Sequence, residues 1–138
     1  MNIYLAGTGS DPLYAMAWRE EARQLLYPHQ TFNPFRNRTI DLATNKWDNP
    51  AAYTSNEIVM RDLGDVDYCD FIIAEFQRIG TASYIGTPME VMYAWMKRKP
   101  VVLWIPKKDS EHFWLRTCSV KALEELEDVC NYVKTWSR

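Results

Sequence analysis

Two groups of residues in this chain have types and spacings that can do chemistry. Carboxylates crowd one stretch: between residues 55 and 75 stand Glu57, Asp62, Asp65, Asp67, Asp70 and Glu75 against a single basic residue, Arg61. A run of acids is ordinarily a solvated face, and Asp65 and Asp67 read as a helix end of that kind. Asp62 differs, because it follows Ile58 by four residues and precedes Leu63. That places it at the buried edge of a helix, where a carboxyl can approach a cleft and serve as an acid. Glu90 closes Thr87-Pro88-Met89-Glu90 and admits two readings. It is the glutamate of a capping box, or it is a carboxylate kept ionised by the positive end of a helix and so fit to attack as a nucleophile. The second group is Gly7-Thr8-Gly9, followed by Ser10-Asp11-Pro12. A dinucleotide fingerprint would need a third glycine and an acid after the next strand, where Asn33 stands instead. The loop still suits a sugar hydroxyl or a phosphate, and a tight turn that needs small residues is the plainer alternative.

Elements must hold these groups, and the chain punctuates them. Residues 2–6 are an apolar run closed by Gly7, Gly9 and Ser10, which predicts a buried strand ending in a tight loop. Asp11-Pro12 is an N-cap and first-turn pair, and Leu13, Met16, Ala17, Ala22, Leu25 and Leu26 recur at helical spacing, so a helix runs to about residue 26. Gln30 to Pro34 predicts a second strand stopped by proline, and the mostly polar stretch from Phe35 to Pro50 reads as a long loop. Thr54-Ser55-Asn56-Glu57 opens a helix over about 55–66. Phe71 to Ala74 is a continuous apolar strand, Thr87-Pro88 opens a third helix ending near Lys97-Arg98-Lys99, and Pro100 to Ile105 is another strand. Leu123, Leu126, Cys130 and Val133 stripe a final helix. Strands that are apolar throughout and alternate with helices imply a parallel sheet covered on both faces, an α/β class. Ligands in such sheets bind beyond the carboxyl ends of the strands, here in the loops 7–11, 33–50, 75–87 and 105–115.

The 138 residues fit one domain, 1–138, and a composition with 47% hydrophobic and 25% charged residues is that of a globular chain. Sixteen basic against eighteen acidic residues give a net charge of −2, which offers no attraction to a nucleic-acid polymer or an anionic membrane. Cys69, Cys118 and Cys130 contain no CxxC pair, and His29 and His112 stand alone, so neither a disulfide framework nor a zinc site assembles. No cationic leader and no apolar run near the ~18 residues of a membrane span is present, and a reducing, cytoplasmic compartment is expected. Among six tryptophans, Trp18, Trp95 and Trp104 read as packing, while Trp114 and Trp136 suit a subunit interface.

Several short motifs, in order, resemble one family. Ile3-Tyr4-Leu5-Ala6-Gly7, Asn33-Pro34, Arg61-Asp62 eight residues ahead of Asp70 in Asp70-Phe71-Ile72-Ile73-Ala74-Glu75, Gly86-Thr87-Pro88-Met89-Glu90 and Lys99-Pro100-Val101 are similar to the nucleoside 2-deoxyribosyltransferase family, which includes the deoxynucleoside-monophosphate N-glycosidases. The resemblance covers about residues 2–105. It implies a flavodoxin/Rossmann-like three-layer sandwich with a mostly parallel sheet of about five strands, and a retaining two-step reaction at the anomeric carbon of a 2′-deoxynucleoside. Glu90 would be the nucleophile, Asp62 would hydrogen-bond or protonate the leaving base, Tyr4 would orient Glu90, and Gly7 would leave space for the sugar. Thr8, Asn33, Ser83, Gly86 and Met89 would make further substrate contacts, and Trp47 would stack on a base or simply anchor its loop. The partners implied are a nucleoside or nucleotide, a free nucleobase and further copies of the chain, with no cofactor or metal.

Two departures keep alternatives open. Six residues before Glu90, where transferases tend to carry an aspartate for the sugar and nucleotide hydrolases a serine for the phosphate, stands Tyr84, with Ser83 one position earlier. The segment His112 to Arg116 also lacks the asparagine that a neighbouring transferase subunit contributes. Thr8, Ser10 or Arg36 would then hold a phosphate in a 5′-monophosphate hydrolase. A non-catalytic nucleotide sensor, in which Glu90 only caps its helix, is the reading from a different class.

Overall fold

The computed structural model describes residues 1–48 and 54–137. Its core is a five-stranded sheet built from β1 (Asn2–Ala6), β2 (Gln30–Phe32), β5 (Phe71–Glu75), β6 (Val101–Trp104) and β7 (Lys121–Leu123), in the order β2-β1-β5-β6-β7. Every pairing in it is parallel. Counted among these strands alone, the order is 2-1-3-4-5, and the chain reverses its winding between β1 and β5. A crevice opens at such a switch point, at the carboxyl ends of the two strands.

The strands are apolar at successive positions because both faces are covered. Ile3, Leu5, Phe71, Ile73 and Val102 pack with Trp18, Ala22 and Leu26 of α1 (Pro12–Leu26) and Val129, Cys130 and Val133 of α5 (Leu126–Lys134). Tyr4, Ala6, Ile72, Ala74, Val101 and Leu103 pack on the other side with Val66 of α2 (Ser55–Tyr68) and Val91 and Ala94 of α3 (Gly86–Met96). Side-chain alternation along β1 therefore delivers Tyr4, and not Leu5, to the α3 layer. Asp11 caps α1 by accepting from the Tyr14 amide, with Pro12 in the first turn. Thr54 and Glu57 form the reciprocal capping box of α2.

Three predicted features differ from what is observed. Leu123 ends the edge strand β7 and is not part of the final helix, which starts at Leu126. A three-residue strand followed almost at once by a helix places its apolar residue on the helical stripe by coincidence. The long loop contains a small antiparallel hairpin, β3 (Ile40–Asp41) with β4 (Lys46–Trp47), whose turn places Asn45 at φ 51°. Strands of two residues carry no readable period. Residues 49 and 50 of that stretch lie outside the described residues. Finally, α3 starts at Gly86 behind Ile85, which makes no side-chain cap, so Thr87 lies inside the helix, buried. The Thr87–Glu90 capping box is therefore not formed. A short helix (a 3-10 turn at Lys107–Asp109) and α4 (Phe113–Thr117) complete the chain.

Candidate active site

At the switch point a cavity of about 300 Å³ opens between the Gly7–Ser10 loop after β1, Pro34 and Phe35 after β2, Asp62 of α2, and Ser83 with the start of α3 up to Glu90. Glu90 is released from helix capping and turns to β1, where the Tyr4 hydroxyl donates to its Oε2. Burial is the main influence on this carboxyl and pushes its pKa up to about 7. The Tyr4 hydrogen bond opposes that rise, Asp62 adds to it by like-charge repulsion, and the Arg19 charge works against it. Burial therefore works against the ionising pull expected of a helix start on Glu90. Tyr4 itself is raised well above the usual phenol range by burial and then by Glu90, so it remains a donor. Asp62 is also raised, chiefly by burial, with Arg61 3.4 Å away pulling the other way.

The wall behind the glycine loop explains its composition. A Cβ on Gly7 would lie 2.9 Å from Glu75 Oε1 and 3.1 Å from Trp18 Cζ2, so glycine is required there by packing. Glu75, at the end of β5 and fully buried, accepts from the Thr8 amide at 3.2 Å, from the Gln77 amide at 2.7 Å, and from the Tyr84 hydroxyl. Tyr84 is therefore turned away from the cavity, packing on Phe76, and Ser83 is the residue that lines it. The Thr8 hydroxyl donates to the Ser83 carbonyl and pairs with Ser10, stitching the two loops together. A Cβ on Gly9 would lie 2.4 Å from Phe35 Cζ. Trp47 stacks on Phe35 at 4.9 Å, carries the Arg38 guanidinium over its ring and donates its indole N–H to the Gly9 carbonyl. It anchors the hairpin and presents no free face to a base.

The structure brings Tyr4, Gly7, Thr8, Asp62, Ser83, Gly86 and Glu90 to one place, and a Cβ at Gly86 would touch the Glu90 carboxylate at 3.9 Å. It does not bring Asn33 or Met89 to the cavity. The Asn33 side chain closes a turn by accepting from the Phe35 amide, and Met89 points outward, 66% exposed. Arg36, one of the residues considered for phosphate, is held in a bidentate pair with Asp65 at 2.6 and 3.2 Å. Sequence reasoning missed Phe35, Arg19 and the role of Glu75. Glu75 carried a signal, an acid ending an otherwise apolar strand, and so did Arg19, a charge between Trp18 and Ala22 on the apolar stripe of α1. Among the described residues no group of three or more His, Cys, Asp and Glu is arranged to hold a metal ion, and no helix is long and apolar enough to cross a membrane.

No protein-family model and no curated protein matches the chain in sequence. Solved structures match it in fold. A conserved protein from Enterococcus faecalis V583 superposes with a TM-score of 0.73 at 19% identity, covering 99% of this chain and 98% of that one. A 2-deoxyribosyltransferase from Bacillus psychrosaccharolyticus gives 0.69 at 20% identity, covering 96% and 92%. The CMP N-glycosidase of Clostridium botulinum gives 0.64 at 15% identity, covering 99% of each chain. From one end to the other, the chain has the α/β fold that a 2-deoxyribosyltransferase and an N-glycosidase also use.

Proposed function

We propose that this chain cleaves the N-glycosidic bond of 2′-deoxynucleosides and transfers the deoxyribosyl group to a second nucleobase, as a nucleoside 2-deoxyribosyltransferase. The observation that carries the reading is the Tyr4–Glu90 pair. A glutamate in the position of a helix cap leaves that duty and faces a cavity, hydrogen-bonded by a buried phenol, with a second carboxyl, Asp62 of α2, lining the same cavity. The fold shared with a 2-deoxyribosyltransferase supports it.

In this mechanism one oxygen of ionised Glu90 attacks the anomeric carbon opposite the base. The C–N bond breaks, its electron pair leaves with the base, and Asp62 supplies the proton that the base nitrogen takes up. Tyr4 holds the other Glu90 oxygen, fixing the attacking one. A ring nitrogen of the incoming base then attacks the glycosyl ester, restores the Glu90 carboxylate and returns its proton to Asp62. The same carboxyl logic governs retaining glycosidases.

Among the described residues no lysine or arginine lines the cavity, which holds two carboxyls. A neutral nucleoside therefore suits it better than a phosphate dianion. One observation favours the second reading, a 5′-monophosphate hydrolase: Ser83 lines the cavity beside the uncapped start of α3. Chromatography of deoxynucleosides with and without a second base, beside the 5′-monophosphates, separates the two. A new deoxynucleoside formed only with the second base supports transfer, and base released from monophosphates alone supports hydrolysis. Tight binding without turnover would point instead to a sensor.

A further inference from the structure

Arg19 heads the largest fully buried side chains, at 1% exposure, yet none of its hydrogen bonds reaches a carboxylate. Its Nε donates to the Leu5 carbonyl at 3.1 Å, Nη1 to Ala15 at 2.8 Å and Nη2 to Gly7 at 3.2 Å. The guanidinium also lies 4.6 Å from the Trp18 ring and 4.9 Å from the Phe35 ring. Glu75 and Glu90 act on this charge without bonding it, and a buried charge bonded only to neutral carbonyls is costly, so a reason for its place is needed. Backbone accounting supplies part of it. β2 stops at Phe32, level with Tyr4, and beyond that point β1 has no strand neighbour on that edge. Arg19 reaches back from α1 and satisfies the carbonyls that a longer β2 would have bonded. Only a rigid fork of donors can do this, and a lysine ammonium cannot span the same carbonyls.

We propose that Arg19 is a positioning residue of the candidate site: it fixes the Leu5–Gly7 strand end and the Phe35 ring, and through β1 it steadies Tyr4 where Tyr4 holds Glu90. The inference rests on the reading of Glu90 given above. Three groups act on Glu90, namely Tyr4 from β1, Asp62 from α2 and Arg19 from α1, and Arg19 is the cation among them. Thr8 and Ser10 tie the outer part of the loop to Ser83, while glycine at 7 has no side chain to hold the strand end, whose path depends on what grips its carbonyls.

The test is a 13C titration of the Glu90 carboxyl in the full chain, for the wild type, Arg19→Lys and Arg19→Gln, with thermal unfolding to verify folding and kcat and KM for deoxynucleosides. Arg19→Gln is expected to move the Glu90 titration upward and to lower kcat roughly tenfold with a smaller change in KM. Arg19→Lys is expected to lose activity as well, because it keeps the charge and loses the fork. A folded Arg19→Gln that titrates and turns over as the wild type does overturns the proposal. If neither variant folds, the wild type decides: the Arg19 Nε–H resonance should follow the Glu90 titration and cease to do so in Glu90→Gln, and an Nε–H indifferent to Glu90 overturns it. The titration needs no turnover. An Arg19-dependent Glu90 in a protein that turns over nothing would sink the transferase reading alone, whereas turnover indifferent to Arg19 would sink only this inference.

Discussion

Glu90 is the residue on which the account turns, and its protonation makes the first prediction. With its pKa pushed to about 7 by burial, kcat/KM should rise with pH through an apparent pKa near 7, since the ionised form attacks. Tyr4→Phe removes a bond that lowers this pKa and should move the rising limb to higher pH. Asp62→Asn removes a repulsion that raises it and should move the limb to lower pH. Both are read with an activated leaving group, so that loss of the Asp62 proton does not mask the shift, and a limb that ignores both changes would contradict the assignment. The same shift bears on stability. The folded state holds the Glu90 proton more tightly than the unfolded chain, about 7 against 4.5. Its contribution is therefore fully present below pH 4.5 and lost as pH rises through about 7. Glu90→Gln should unfold at a temperature equal to or above the wild type at alkaline pH, a gain of up to about 3 kcal/mol, and scans at acid and alkaline pH check it. The two candidate readings of Glu90 were both legible from its spacing. The choice between them was not, because it depends on Ile85 rather than Thr87 preceding the first helical turn and on the Tyr4 hydroxyl of β1 reaching Glu90.

At the scale of elements, the cavity is made by where strands end. β2 is short, the β1 loop alternates glycines with the small Thr8 and Ser10, and Phe35 packs against Gly9 under the hairpin that Trp47 anchors. Gly9→Ala puts a carbon where the Phe35 ring now sits, 2.4 Å from its Cζ. It should cost about 1–3 kcal/mol of stability and raise KM by pushing the ring into the cavity. Combining it with Phe35→Leu should recover part of both losses, as thermal unfolding and KM measurements would show. The long elements were readable because periodicity and caps agreed: Asp11-Pro12 and the Thr54 box start the helices where they are observed. The hairpin and β7 were not, since strands of two or three residues leave no period, and Arg19 escaped because its role is to replace strand pairing that sequence alone does not locate.

For the whole molecule, apolar side chains are left on the surface. Met89, Met96 and Trp95 on α3 and Phe113 and Trp114 on α4 are each exposed to water, and burying such side chains is what a subunit contact would gain. We expect light scattering coupled to chromatography to give a dimer or larger, and Met96→Glu, at a site 70% exposed, to shift it toward monomer without loss of folding. A wild-type monomer at every concentration would contradict this. The class and three-layer plan of the fold were legible from strands apolar on both faces; the order of the strands, which sets where the cavity opens, was not, because edge and central strands of a covered parallel sheet are apolar alike. The most direct test of the central claim is mass spectrometry of the protein quenched during turnover of a deoxynucleoside. The account predicts an added deoxyribosyl group mapped to the peptide bearing Glu90 and absent in Glu90→Gln. Turnover that proceeds undiminished in Glu90→Gln, with no adduct on Glu90 in the wild type, would contradict it.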